Sequence, residues 1–243
     1  MRVVFFGDSN TYGFDPRDPF DDRYPASVRW TDRLQRMLDA EKMQDAEFAG
    51  TEATCQPAAE FAGTEDACQP DAEFAGTEDT RQPDADIPEH WTVISRGQNG
   101  RCVPVMPQMS GYIQSMIREV WPVDRFAVML GTNDLLLTHH PDAALPAAQM
   151  RQFLLFLRMK YPEMERMLIA PPVLFETLTE GVFFRRCREE SRRLTQMYEK
   201  IADETQTIFV DAGKWTIDLA SDYVHFSEKG HMQFAEQIRK YFL

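Results

Sequence analysis

The chain has 243 residues, enough for one domain with a sizeable core. Hydrophobic residues make up 43% and charged residues 27%, the balance of a globular protein and not of a disordered or fibrous one. A net charge of −13 argues against nucleic acid or an anionic membrane surface as a partner.

In chain order, Met1-Arg2 leads straight into the apolar run Val3–Phe6. Gly7-Asp8 ends that run too early for the core of a signal peptide, and no later stretch approaches the length of a membrane span. A cytoplasmic protein without membrane association is expected. Val3–Phe6 reads as a buried strand, followed by a helix with Trp30, Leu34, Met37 and Leu38 on one face.

Residues 47–85 interrupt the pattern with a 13-residue unit written three times: EFAGTEATCQPAA, EFAGTEDACQPDA and EFAGTEDTRQPDA. The units hold ten acidic residues and one basic residue, a net of −9; the rest of the chain carries only −4. One Phe per unit among Ala, Gly, Pro and acids cannot offset a backbone ordering cost of roughly 1–2 kcal/mol per residue. The tract reads as a disordered acidic insertion in one domain spanning 1–243. A docking tether is the alternative.

Beyond it, short apolar runs at Trp91–Ile94, Phe126–Leu130, Met167–Ala170 and Ile208–Val210 read as further strands. Between them lie helical stripes: Tyr112, Ile113, Met116, Ile117 and Val120; Met150, Phe153, Leu154 and Leu157; Leu194, Met197, Tyr198 and Ile201. A last stripe takes in Phe234, Ala235, Ile238, Tyr241 and Phe242. Five strands alternating with five helices predict an α/β sandwich around a parallel sheet. Active sites in such sheets gather at the carboxyl ends of the strands, where Gly7–Asn10, Gly97–Arg101 and Gly131–Asp134 combine glycine with small polar residues. Cys55, Cys68, Cys102 and Cys187 form no CxxC pair and no ligand set with histidine, so neither a metal nor a disulfide is expected.

Four blocks in order resemble the SGNH/GDSL hydrolases: Gly7-Asp8-Ser9-Asn10, Gly97-Gln98-Asn99-Gly100-Arg101, Gly131-Thr132-Asn133-Asp134 and Asp222-Tyr223-Val224-His225-Phe226. The run Gly7–Gly13, with Val28-Arg29-Trp30 and the later Gly-Thr-Asn-Asp-Leu-Leu, is similar to the arylesterase/acyltransferase-like subgroup. The resemblance implies a three-layer α/β/α sandwich with a five-stranded parallel sheet, flavodoxin-like in order. It also implies a cofactor-free serine esterase acting on short-chain, acetyl-type esters, with acyl transfer to alcohols as a further outcome. The partner is then a small-molecule ester.

A serine hydroxyl needs a base, and His225 supplies one near neutral pH. Asp222, three residues earlier, can hold the second ring nitrogen. No G-x-S-x-G elbow is present, which sets aside the α/β-hydrolase scaffold. By the family's correspondence the oxyanion donors are the Ser9 and Gly100 backbone N–H groups and the Asn133 amide, with Gly97 the competing glycine. Asn10 stands where an aliphatic residue is usual and, with His139 and His140, is assigned to the substrate pocket. Asp8 is expected to shape the turn and Asp134 to brace its loop. Phe183-Phe184-Arg185-Arg186 reads as a lid edge, a core contact or, in a homo-oligomer, a subunit contact. Two other functions stand beside the esterase: a carbohydrate or lipid O-deacetylase with the same residues, and a non-catalytic binding protein that uses the acidic repeats.

Overall fold

The computed structural model describes residues 1–18, 22–52, 90–178 and 180–243. Five parallel strands, β1 (Arg2–Gly7), β2 (Thr92–Gly97), β3 (Arg125–Met129), β4 (Glu165–Ala170) and β5 (Ile208–Asp211), lie in the order β2-β1-β3-β4-β5. This is the flavodoxin-like order, in which the strand sequence reverses direction beside β1.

The strands are apolar on both faces, and neighbouring residues feed opposite layers. Val3 and Phe5 of β1 point to one core, Val4 and Phe6 to the other; Ala127 and Met129 divide from Phe126 and Val128 in the same way. The first core is closed by α2 (Trp30–Glu52), through Trp30, Leu34 and Leu38, and by α7 (Glu228–Arg239), through Phe234, Ala235 and Ile238. The second is closed by α3 (Ser110–Glu119), α5 (Ala144–Lys160) and α6 (Val182–Thr205). The expected three-layer sandwich follows. Each fully buried large apolar side chain, such as Trp30 or Phe153, contributes about 1.5–3 kcal/mol relative to exposure.

The apolar runs locate every strand, with ends within two residues except at β2, which continues three residues past Ile94 to Gly97. The stripes are less faithful at their ends. Val120 caps α3 instead of belonging to it, and Tyr241 and Phe242 follow the end of α7. Phe242 still reaches the core, edge-on to Phe5 and Trp91, but the Tyr112 and Tyr241 rings are exposed. Helix α2 continues into residues 47–52 of the repeat tract, and repeat residues 53–85 lie outside the described residues. Among the described residues no helix is long and apolar enough to cross a membrane. Cys102 and Cys187 are free thiols, while Cys55 and Cys68 lie outside the described residues.

Candidate active site

Ser9 begins α1 (Ser9–Tyr12), a single helical turn that leaves the end of β1. The Asp8 carboxylate starts the turn by accepting the Asn10 N–H at 3.0 Å, and Gly13, at φ 86°, ends it by donating its N–H to the Ser9 carbonyl. Asp8 thus shapes the turn, as expected.

This helix rests on two glycines. Gly7 and Gly97 are register partners at the ends of β1 and β2. A Cβ on Gly97 would stand 2.1 Å from the Tyr12 nitrogen, and one on Gly7 would stand 2.0 Å from the Thr11 hydroxyl. Only residues without side chains let the chain fold back this closely over the strand ends. Gly97, ranked second as an oxyanion donor, therefore has its own structural task.

The other arm of the site lies between β5 and α7. Residues 219–226 close a tight hairpin through the Leu219–Phe226 bridge and an N–H bond from Ala220 to the His225 carbonyl at 2.7 Å. Ser227 then caps α7 by accepting the Gly230 N–H. Within the hairpin the Asp222 carboxylate binds three times: Oδ2 to His225 Nδ1 at 2.7 Å, and Oδ1 to the His225 and Val224 N–H groups at 2.9 and 3.0 Å. The opposite ring nitrogen, His225 Nε2, lies 2.9 Å from Ser9 Oγ. Ser9, His225 and Asp222 form one hydrogen-bonded line from residues 216 and 213 positions apart along the chain. Burial works against ionisation of Asp222, but its bonds from His225 and Val224 outweigh that and hold its carboxyl below the ordinary range.

The loops after β2 and β3 meet each other at the end of β1. Asn133, buried in α4 (Thr132–Leu136), donates from Nδ2 to the Arg101 carbonyl at 3.1 Å. An amide NH₂ carries two hydrogens, so a second remains. Asp134 accepts the Val103 N–H with both oxygens, at 3.1 and 3.3 Å, and so braces the same loop. Gly100 adopts φ 71°, and no atom comes within 4 Å of where its Cβ would stand. Burial raises the Asp8 carboxyl to about 6, against the lowering effects of the Asn10 N–H and His225.

The residues assigned to a substrate pocket divide. His139 and His140 are exposed in the loop after α4, and no described contact joins them to Ser9 or His225. Asn10 is buried, and its amide is already bonded at both ends: Nδ2 donates to the Val224 carbonyl at 3.1 Å, and Oδ1 accepts the Phe226 N–H at 2.9 Å. That amide is therefore committed to the histidine hairpin. Phe183 and Phe184 lie in the first turn of α6, part exposed, with the Phe184 ring tilted against that of Phe175, centroids 4.7 Å apart.

Two residues were not singled out from sequence. The Phe14 ring packs against His225, with centroids 4.5 Å apart. Arg101 reaches back from the second loop, donating from Nη1 to the Gly7 carbonyl at 2.8 Å and to the Arg96 carbonyl, with its guanidinium over Phe6. It fastens the Gly100 loop to the end of β1. Nothing in a single sequence marks Phe14, whereas Arg101 directly follows the recognised glycine.

The model of the GDSL-like lipase/acylhydrolase family matches residues 5–233, which takes in all four blocks. The chain belongs to that family. It is an ester-hydrolysing enzyme. This GDSL-like acylhydrolase resembles the solved aryl esterase of M. smegmatis at 21% identity and a TM-score of 0.64, covering 99% of both chains. It resembles a carbohydrate acetylesterase from Sinorhizobium meliloti at 21% identity and a TM-score of 0.66, over 99% of this chain and 97% of the other. A lipase/acylhydrolase from Enterococcus faecalis aligns at 16% identity and a TM-score of 0.60, over 99% and 94%. No curated protein matches the chain.

Proposed function

We propose that this acylhydrolase is a serine esterase that cleaves short-chain, acetyl-type esters through an acyl-serine intermediate. The observation that carries the reading is the hydrogen-bonded line Ser9–His225–Asp222 at 2.9 and 2.7 Å. His225 Nε2 takes the Ser9 proton as Oγ attacks the ester carbonyl carbon, while Asp222 steadies the imidazolium through Nδ1. The carbonyl oxygen becomes an oxyanion facing the Ser9 N–H, the Gly100 N–H and the remaining Asn133 amide hydrogen. Ser9 is the first residue of its helix, so its N–H has no partner within that helix. The tetrahedral adduct collapses when His225 returns the proton to the leaving alcohol oxygen. Water, or a second alcohol in acyl transfer, then attacks the acyl-serine with His225 again as base.

Ser9→Ala removes the attacking oxygen and is expected to abolish turnover of p-nitrophenyl acetate together with covalent labelling by a fluorophosphonate. Labelling that persists in Ser9→Ala sinks the assignment.

A second reading, deacetylation of a carbohydrate, is favoured by one observation. A cavity of about 530 Å³ adjoins the histidine hairpin and is lined by Trp215 and Tyr223 with Glu176, Asp218, Lys229 and Gln233. Aromatic faces among hydrogen-bonding side chains suit a polyol. Turnover of acetylated xylose above that of p-nitrophenyl acetate selects this reading; the reverse order selects the simple ester. The non-catalytic reading is set aside by family membership.

A further inference from the structure

Asp222 orients the His225 ring inside its own hairpin, because all three of its bonds run to residues 224 and 225. Those bonds would survive if the whole hairpin drifted away from Ser9. Something else has to hold the hairpin against the nucleophile, since the serine and the histidine reach the site on α1 and on the loop before α7.

Asn10 does this in a way few side chains can. It is the residue next to Ser9, and it bonds the residues on either side of His225: the Val224 carbonyl through Nδ2 at 3.1 Å and the Phe226 N–H through Oδ1 at 2.9 Å. One planar amide supplies the donor and the acceptor that these two backbone groups require. The asparagine is itself held. Its N–H is bonded to Asp8, and its carbonyl accepts the indole N–H of the fully buried Trp30 at 2.9 Å. Phe226 is fully buried, so its N–H has no ready substitute in water. Both ends of the clamp are therefore rigid.

We infer that Asn10 is a positioning residue that sets the Ser9–His225 spacing by clamping the histidine hairpin to the nucleophile helix, a role that rests on the serine-esterase reading. Leucine at this position matches its shape but has no polar atom, so both bonds are lost. Aspartate keeps the acceptor for Phe226, but as a carboxylate it faces the Val224 carbonyl with a second acceptor. In its protonated form it regains an O–H donor for that carbonyl. The Asn10→Asp variant should therefore recover as pH falls, while Asn10→Leu should not. The titratable groups facing this point are Asp8 on the strand end, Asp222 and His225 on the hairpin, and His231 of α7 beyond Trp30. All four are shared with the wild type, and the ratio of variant to wild type is read to isolate what the introduced carboxyl adds.

The test measures kcat and KM on p-nitrophenyl acetate from pH 5.5 to 8.5 for the wild type, Asn10→Leu, Asn10→Asp and Ser9→Ala, with thermal unfolding of each. Asn10→Leu is expected to lower kcat about 10–100-fold with KM held within about threefold, the pattern of a misplaced catalytic pair. The kcat ratio of Asn10→Asp to wild type should rise at least about threefold between pH 8.5 and 5.5, as the introduced carboxyl gains its proton. The inference is overturned by a folded Asn10→Leu that keeps more than half of the wild-type kcat. It is also overturned by an Asn10→Asp ratio that is flat with pH, and that arm decides alone if Asn10→Leu does not fold. Turnover by Ser9→Ala at the wild-type rate would instead overturn the serine-esterase reading, whatever the Asn10 variants do.

Discussion

Replacing Gly97 by alanine adds one methyl group at the end of β2, far in sequence from Ser9. The new Cβ would stand 2.1 Å from the Tyr12 nitrogen, 2.4 Å from the Thr11 carbonyl carbon and 2.5 Å from the Tyr12 Cα. All three are backbone atoms of α1, so no side-chain rotation relieves the overlap. Ordinary contact begins at 3.4 Å, which requires α1 to lift by about 1.3 Å. Ser9 sits on that turn, with its hydroxyl 2.9 Å from His225 Nε2, and a shift of this size takes the pair out of hydrogen-bond range. Overpacking of this kind costs about 1–3 kcal/mol, and for a domain of this size each kcal/mol lowers Tm by about 2–4 °C. Misplacing a nucleophile by about 1 Å lowers the rate on the order of 100-fold. Steady-state kinetics on p-nitrophenyl acetate and thermal unfolding should therefore show a kcat loss far larger than the modest fall in Tm implies. Gly111→Ala is the control: that glycine lies in α3 with no atom within 4 Å of a Cβ, so activity should hold and Tm should rise slightly. A Gly97→Ala enzyme with wild-type kcat and Tm would refute the view that α1 is seated on the paired glycines.

Asp222→Asn leaves the hairpin folded but presents the wrong partner to His225 Nδ1, and kcat is expected to drop about 10⁴-fold in steady-state assays; a loss under tenfold would remove Asp222 from the mechanism. Asn133→Ala deletes the proposed oxyanion donor and should lower kcat about 10²–10³-fold with little change in substrate affinity, compared by kcat and KM on the same ester. His231 of α7 is fully buried and accepts the Trp30 N–H at 3.4 Å, and burial pulls its pKa down to about 3. The folded protein keeps it neutral, whereas the unfolded chain protonates it below about pH 6.5, so its contribution is complete above that pH and is lost as pH falls. At pH 5 the loss amounts to about 2 kcal/mol. Asp8, with its raised pKa, acts with the opposite sign in the same range, so urea unfolding of wild type and His231→Leu should be compared as a difference. A stability gap between the two that is equal at pH 7.5 and 5 would show that His231 is not held neutral.

Much of the fold was legible locally. Runs such as Val3–Phe6 and Met167–Ala170 are apolar without alternation because both faces of those strands are covered, and that burial is written into consecutive residues. Ser9, Asp222, His225 and Asn133 stood out because each lies in a short block next to a strand or helix end. The single-turn helices α1 and α4 were not legible, since four or five residues are too few to show a period. Tyr112 and Tyr241 followed the helical stripe and yet are exposed, because periodicity reports a direction around a helix and not where the neighbouring layer stops.

Sequence by itself determined the apolar strand segments, the placement of Ser9 directly after β1 and the ester-hydrolysing family of the chain. Only the tertiary structure decided which residues hold those groups in register. Gly7 and Gly97 act as a pair because the parallel register sets them side by side, Phe14 meets the His225 ring, and Asn10 bonds a hairpin more than two hundred residues away. The physical reason is that a local pattern records how a segment is hidden from water. A hydrogen bond between distant segments depends on where packing brings their backbones, and no local pattern carries that distance.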